Sequence, residues 1–330
     1  MNYILDSKYV ILEEVGHGST CYVYKGFSLE DKSKKLLAIK LFQEQAKKFY
    51  EKEIHIKDLL PSHDFLQIFS YGSGIIRKVN NNINNEYLHN SLCSLENFKG
   101  EVLYIIEELA ENGELFDYVY ELKQGFSEKI AARIFKQILN YIKILHENRI
   151  AHCDIKPENI IIGNDFNIKL IDFGFSEILE KEDNFIYNYK GSEVYASPEV
   201  KNKNMNGYDG IKNDIFSLAV LLFVITIGRF PFDRCCYSDR KYRLIMNKKY
   251  REYWCYFYKY NLSDEFKDLI NNLFCYDPSE RLSINEILEH PWIKINTNGN
   301  METAIENFDE EVEKELRKRK AIIQDKKAFS

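Results

Sequence analysis

His152-Cys153-Asp154-Ile155-Lys156-Pro157-Glu158-Asn159, followed shortly by Asp172-Phe173-Gly174, is the stretch that decides the fold. The apolar runs Ile160 to Ile162 and Ile168 to Ile171 lie between the two pieces, long enough for short strands and too short for helices. Upstream, Ser127 has the chemistry of an N-cap, and Ile130, Ile134, Ile138, Ile142 and Leu145 form one stripe at helical spacing. A long amphipathic helix therefore leads into two polar turns at strand ends. Asp and Asn often occupy such places merely as turn residues. Two acids and an amide converging there, however, are also the oxygen groups that orient a hydroxyl and hold a hard cation.

Working toward the N-terminus, residues 9–42 read as a small antiparallel sheet: Tyr9-Val10-Ile11-Leu12, a glycine turn, Tyr22-Val23-Tyr24, a polar turn, then Leu36 to Ile39. Gly16-His17-Gly18-Ser19-Thr20-Cys21-Tyr22-Val23 offers glycines whose backbone N–H groups can approach phosphates, although a plain hairpin turn would look the same. Lys40 in Ala38-Ile39-Lys40 is a strand lysine, by itself more often solvated than functional. Lys47 to Leu60 reads as a helix through Phe49, Ile56 and Leu60, stopped by Pro61. Strands Phe65 to Tyr71 and Val102 to Ile106 flank an Asn-rich surface insertion at about 80–100.

Toward the C-terminus, Asp214 to Gly228 is apolar nearly all round, as a helix inside a helical lobe must be, and residues 264–274 and 283–290 add helices. After Asn296 to Asn300 comes a charged segment, 301–330, with Ile305, Phe308, Val312 and Leu316 at helical spacing. Its Glu313–Arg317 and Glu315–Arg319 pairs at i,i+4 suit an amphipathic tail helix.

A hydrophobic content of 45% gives a core large enough for a two-lobed domain, and a net charge of -6 argues against a nucleic-acid footprint. Seven cysteines without a CxxC pair suit free thiols in a reducing compartment. Met1 to Val10 has no signal-like apolar region, and the run from Ile215 to Ile227 is short of the roughly 20 residues of a span. A non-secreted protein of the cytoplasm or nucleus, with neither membrane nor nucleic acid as partner, is the expectation.

In order and spacing these segments resemble the eukaryotic protein kinase signature set over residues 9–294. The resemblance implies an α+β, bilobal fold: a β-rich N-lobe (9–108) with one main helix, and a mainly helical C-lobe (114–294), with 1–8 as an N-terminal extension. It implies ATP and Mg²⁺, with Mn²⁺ as an alternative, and a Ser/Thr-bearing protein substrate. Lys40 would pair with Glu53; Asp154 would orient and deprotonate the hydroxyl; Lys156 would neutralise the γ-phosphate; Asn159 and Asp172 would hold metal. Gly16, Gly18, Val23, Ala38, Glu108, Ala110 and Glu114 fall at its nucleotide-binding positions. Glu199 in Ser197-Pro198-Glu199 would pair structurally with Arg281.

Several positions depart from the pattern. Cys21 stands for the third glycine of the loop, Lys57 for an apolar neighbour of Phe173, and Ala219 for a glycine of the central helix. Glu107 falls at the gatekeeper position, where it would compete with Glu53 for Lys40 unless the alignment slips by one residue. Cys153 replaces the arginine that grips a phosphorylated activation segment, and between Gly174 and Gly191 the only hydroxyls are Ser176, Tyr187 and Tyr189. Activity independent of segment phosphorylation follows as an expectation. A kinase-fold scaffold with little or no transfer is the competing class, and a small-molecule kinase a third.

Lys156 resembles the serine/threonine pattern, and Glu114-Leu115-Phe116-Asp117 most resembles the calcium/calmodulin-dependent group. Within that group Glu114 and Glu158 match positions that read basic residues ahead of the phosphoacceptor. For the tail, three readings stay open: a regulatory helix acted on by a partner, a helix that merely caps the lobe, and, for Arg317 to Lys320, a solvated face or import patch.

Overall fold

The computed structural model describes residues 2–18, 20–60, 65, 67–79, 93–180, 183–201, 207–297 and 309–328. The chain divides into two compact units, Met1–Glu111 and Asn112–Ser330.

In the first unit, strands β1 (Asn2–Leu5), β2 (Tyr9–His17), β3 (Cys21–Ser28), β4 (Leu36–Phe42), β5 (Ile68–Val79) and β6 (Glu101–Glu108) form a closed antiparallel barrel in the order β1-β2-β3-β4-β6-β5. One helix, α1 (Lys47–Leu59), packs on it. Within the expected N-terminal extension 1–8, Asn2–Leu5 supply the closing strand: Tyr3 pairs with Ile11 of β2 and with Lys78 of β5. Leu5 joins Tyr24, Ile39 and Ile106 in the core, while Ile4 points to the cluster of Val10, Leu12 and Phe27. Four residues carry too short an alternation to announce a strand before its two neighbours are known.

Strand β5 runs past Tyr71 to Val79 because Gly72 and Gly74 allow close packing; a Cβ on Gly74 would lie 2.9 Å from that of Asp6. The expected insertion falls mostly on residues 80–92, outside the described residues. Its end does not stay on the surface: Leu95 is buried in the barrel core and Ser94 hydrogen-bonds Tyr24 at 2.8 Å.

The second unit contains α2 (Leu115–Tyr120), α3 (Glu128–Glu147), α4 (Pro198–Lys201), α5 (Gly210–Ile227), α6 (Arg240–Met246), α7 (Tyr250–Trp254), α8 (Asp264–Leu273), α9 (Ile284–Leu288), α10 (Pro291–Asn296) and α11 (Glu310–Ala328). Its short strands pair as β7 (Ile150–Ala151) with β10 (Glu177–Ile178), β8 (Ile160–Ile162) with β9 (Ile168–Leu170), and β11 (Phe185–Ile186) with β12 (Tyr208–Asp209). Ser127 caps α3 by accepting from the Ile130 amide at 3.4 Å, and of the expected stripe Ile134, Ile138, Ile142 and Leu145 are buried while Ile130 is half-buried. Helix α5 is long and apolar enough to cross a membrane by composition, yet nearly every residue is buried inside this unit. It stops at Gly228, in the left-handed region at φ 76° and against the Gln124-Gly125 backbone, where a side chain has no room.

Tail helix α11 packs on α2 and α3, with Val312 and Leu316 buried; Ile305 and Phe308 lie outside the described residues. Arg319 is buried over the Phe126 ring at 3.8 Å and donates to the carbonyls of Tyr118, Gln124 and Gly125 at 2.9, 2.7 and 2.7 Å. These carbonyls belong to the C-terminal end of α2 and the turn after it, where helix carbonyls lack intrahelical partners. Lys320 donates to Asn112 Oδ1 at 2.6 Å, and Arg317 lies 4.2 Å over Phe166.

Candidate active site

Two sets of polar side chains form, one in each unit. In the barrel, β3 lies between β2 and β4, with Val23 opposite Gly16 on one side and Lys40 on the other, and β4 pairs with β6, where Ala38 lies opposite Glu107. Lys40 is buried and donates to Glu53 Oε1 of α1 at 2.7 Å, with Glu107 Oε1 at 3.1 Å. Glu53 holds its place because Tyr50 and Ile56, one turn to either side, bury the same face of α1. Glu107 reaches Lys40 from β6, which pairs with β4 in unbroken register. Lys40 is thus shared by two buried carboxylates.

A Cβ built on Gly16 or Gly18 would meet nothing within 4 Å, so local packing does not demand glycine there. Cys21 opens β3 opposite Phe42, its side chain packed beside that of Phe42 as an ordinary strand residue. Glu108 ends β6, its amide donating to Gln67 O at 2.9 Å, and Ala110 follows half-buried.

In the helical unit the β7-to-β8 turn brings Asp154, Lys156 and Asn159 together. Lys156 Nζ donates to Asp154 Oδ2 at 2.6 Å and to Ser192 Oγ at 2.9 Å. Asn159 Nδ2 donates to the carbonyl and to Oδ2 of Asp154 at 2.8 and 3.0 Å. The Ser192 amide donates to Asp154 Oδ1 at 2.7 Å. Burial pushes the Asp154 carboxyl upward, but Lys156 by hydrogen bond and charge, with Ser192, outweighs it and holds the group below the usual carboxylate range. Asp154 is therefore an ionised acceptor, aimed by three donors.

Asp172 follows β9, with the Ile171 amide on the Asn159 carbonyl at 2.9 Å. It adopts φ 65°, a left-handed conformation supported by its own Oδ1 accepting from the Gly174 amide at 3.1 Å. Phe173 is buried edge-on to the His152 ring, centroids 5.6 Å apart. Asn159 commits its amide nitrogen to Asp154, leaving its oxygen as the end a hard cation would take, and Asp172 supplies a carboxylate. Among the described residues no group of three or more His, Cys, Asp or Glu gathers as a metal cage. One carboxylate and one amide oxygen is the donor set of a magnesium site completed by water and phosphate.

The framework includes residues whose role the sequence did not reveal. Asp214 accepts from the His152 and Cys153 amides at 2.7 and 2.8 Å and contacts His146 Nε2 at 3.0 Å, so α5 fixes the turn that leads to Asp154. A buried acid within an otherwise apolar helix was the available signal. Asn213 accepts from the Ser197 amide and hydroxyl, and Ser192 joins Asp154 to Lys156. The expected Glu199–Arg281 pair is bidentate at 2.5 and 2.7 Å, and Arg281 also donates to Cys275 O and Lys212 O.

Glu114 precedes α2, bridged to Ile161 of β8. Burial, with Asp117 and Glu158 adding repulsion, raises its carboxyl to about 7. Glu158 is likewise raised by burial, and its Oε2 makes no hydrogen bond among the described residues.

A family profile described as protein kinase domain matches residues 9–293. The chain belongs to the protein kinase family. The kinase domain is 38% identical over 201 residues to a probable serine/threonine-protein kinase of Dictyostelium discoideum, covering 59% of this chain and 22% of that one. It is 36% identical over 190 residues to an SNF1-related protein kinase catalytic subunit alpha of Arabidopsis thaliana, and 34% identical over 192 to a carbon catabolite-derepressing protein kinase of Secale cereale. Each of these two alignments covers 58% of this chain and 36% of the relative, so the chain spans well under half of the relatives it matches.

Proposed function

We propose that the chain is a serine/threonine protein kinase that transfers the γ-phosphoryl group of Mg-ATP to a protein hydroxyl. The observation that carries this reading is the Asp154 carboxylate, ionised and aimed by Lys156, Asn159 and Ser192. The substrate oxygen bonds to the γ-phosphorus as the bond to the β–γ bridging oxygen breaks, ADP leaves with that electron pair, and the proton passes to Asp154. Lys156, 2.6 Å from Asp154, offsets negative charge gathering around the transferred group. Bound to Asn159 and Asp172, Mg²⁺, or Mn²⁺ in its stead, would neutralise phosphate charge. Labelled phosphate incorporated by wild type and lost in Asp172→Ala is the expected result; equal incorporation by both refutes the assignment. Glu107, by sharing Lys40, favours one rival, a kinase-fold scaffold, and absence of incorporation by wild type would establish it.

The preferred substrate carries Arg or Lys ahead of the phosphoacceptor. Support comes from Glu114, Asp117 and Glu158, an acidic group in electrostatic reach of Lys156 and so beside the catalytic carboxylate. A peptide array selecting acidic or proline-directed sites would overturn this. The SNF1-related relative fits a likeness to the calcium/calmodulin-dependent group. Free thiols at Cys21, Cys153, Cys235, Cys236, Cys255 and Cys275 suit the reducing cytoplasm or nucleus. Activity does not require segment phosphorylation, since a buried Cys153, with no cationic group, stands where the resemblance implies the gripping arginine. Phosphatase treatment should leave the rate unchanged; a large drop restored by rephosphorylation within 174–191 would refute it.

A further inference from the structure

The segment that meets Asp154 needs an anchor, and the usual one is missing. Ser192 gives its amide to Asp154 Oδ1 at 2.7 Å and takes Lys156 on its hydroxyl at 2.9 Å. Gly191 adopts φ 82° and lies so close over the preceding turn that a Cβ would stand 2.0 Å from the Cys153 carbonyl. Residues 191 and 192 are therefore fitted onto the His152–Asp154 backbone, and a small retreat would withdraw a hydrogen bond from the reacting carboxylate.

In relatives an arginine next to the catalytic aspartate grips a phosphate on this segment. Here Cys153 is buried with its Sγ near Ala151 O at 3.6 Å, and it offers no charge. Beside Gly191, however, Lys190 forms an ion pair with Glu177. Glu177 lies in β10, opposite Ala151 of β7, the strand that runs into the catalytic turn. The pair therefore ties the far end of the segment to β10, which pairs with the strand leading to Asp154. Its side chains are only 15% and 31% exposed, so solvent screens it incompletely.

We propose that Lys190 and Glu177 are positioning residues for Asp154, a permanent clamp with the cation on the segment and the anion on β10. The clamp replaces the phosphate grip and inverts its polarity. This inference rests on the kinase reading and supplies the reason why no phosphate is needed.

Charge exchange in the full chain tests it. Lys190→Glu and Glu177→Lys should each lower kcat about tenfold or more while leaving KM for ATP within about twofold, because a misplaced carboxylate slows transfer without weakening nucleotide binding. Amide hydrogen exchange at residues 190–192 should rise in both. The double variant should restore most of kcat and of the protection, as a direct pair interaction requires. Should a reversal fail to fold, Lys190→Gln and Glu177→Gln give the same readouts with smaller effects. Singles with wild-type kcat and exchange, or a double as impaired as the singles at an unchanged melting midpoint, would overturn the clamp. If wild type transfers no phosphate, the kinase reading falls, and the exchange data still decide whether Lys190 and Glu177 hold the segment.

Discussion

Arg319→Ala tests whether the tail helix belongs to the architecture of the second unit. The guanidinium is 4% exposed, spans three carbonyls at 2.7 to 2.9 Å, and is itself oriented by Glu315 at 2.9 Å. A hydrogen bond to a charged donor contributes about 1.5 to 3 kcal/mol, but the three share one side chain and some of the carbonyls would recover water. Stacking on Phe126 adds about 1 kcal/mol. A loss of about 3 to 5 kcal/mol results, and at roughly 2 to 4 °C per kcal/mol for a domain of this size the melting midpoint falls by roughly 6 to 20 °C. Differential scanning calorimetry of the full chain measures it. Truncation after Ile295 should act in the same direction and more strongly, giving insoluble protein. A variant that melts within about 1 °C of wild type and phosphorylates faster would refute the reasoning and make the helix an autoinhibitory arm.

Glu107→Gln removes one of the two buried carboxylates that share Lys40 and should raise the melting midpoint by a few degrees, equivalent to about 1 to 2 kcal/mol, without loss of activity; a lower midpoint contradicts the shared-lysine picture. Arg281→Met leaves Glu199 partly buried without its partner and should cost about 3 to 5 kcal/mol, measured by urea unfolding; a loss below about 1 kcal/mol would refute this. Because burial raises the Glu114 carboxyl to about 7, it is mostly ionised at pH 8 and mostly neutral at pH 6. KM for an arginine-bearing peptide should therefore rise as pH falls through that range, and Glu114→Gln should flatten the trend; a flat wild-type profile excludes Glu114 as the reader of basic residues.

The candidate site positions were legible where chemistry is encoded by residue type in a short window. Asp154, Lys156 and Asn159 lie within one turn, so their meeting needed only the strand-turn-strand frame around them. The Glu199–Arg281 pair was reached by resemblance, since no local pattern links residues so far apart. Closure by residues 2–5 was illegible because a four-residue strand acquires meaning only from β2 and β5 together. Helix α1 was recognised, but its stripe was misread in part: Phe49 is half-buried while Tyr50 and charged Glu53 face inward, since the inward polar side chain satisfies itself on Lys40. Ser192 and Lys190 gave no signal, because their work depends on where a loop lands.

The small strand Asn2–Leu5 has one more effect. With β1 seated between β2 and β5, the sheet, among the described residues, offers no row of unpaired main-chain donors and acceptors to a neighbouring polypeptide. Strand-by-strand self-association, the common hazard of an open sheet, is thereby blocked at its starting point. Deleting those few residues would expose two raw margins at once, and the cost would appear first as turbidity at high protein concentration.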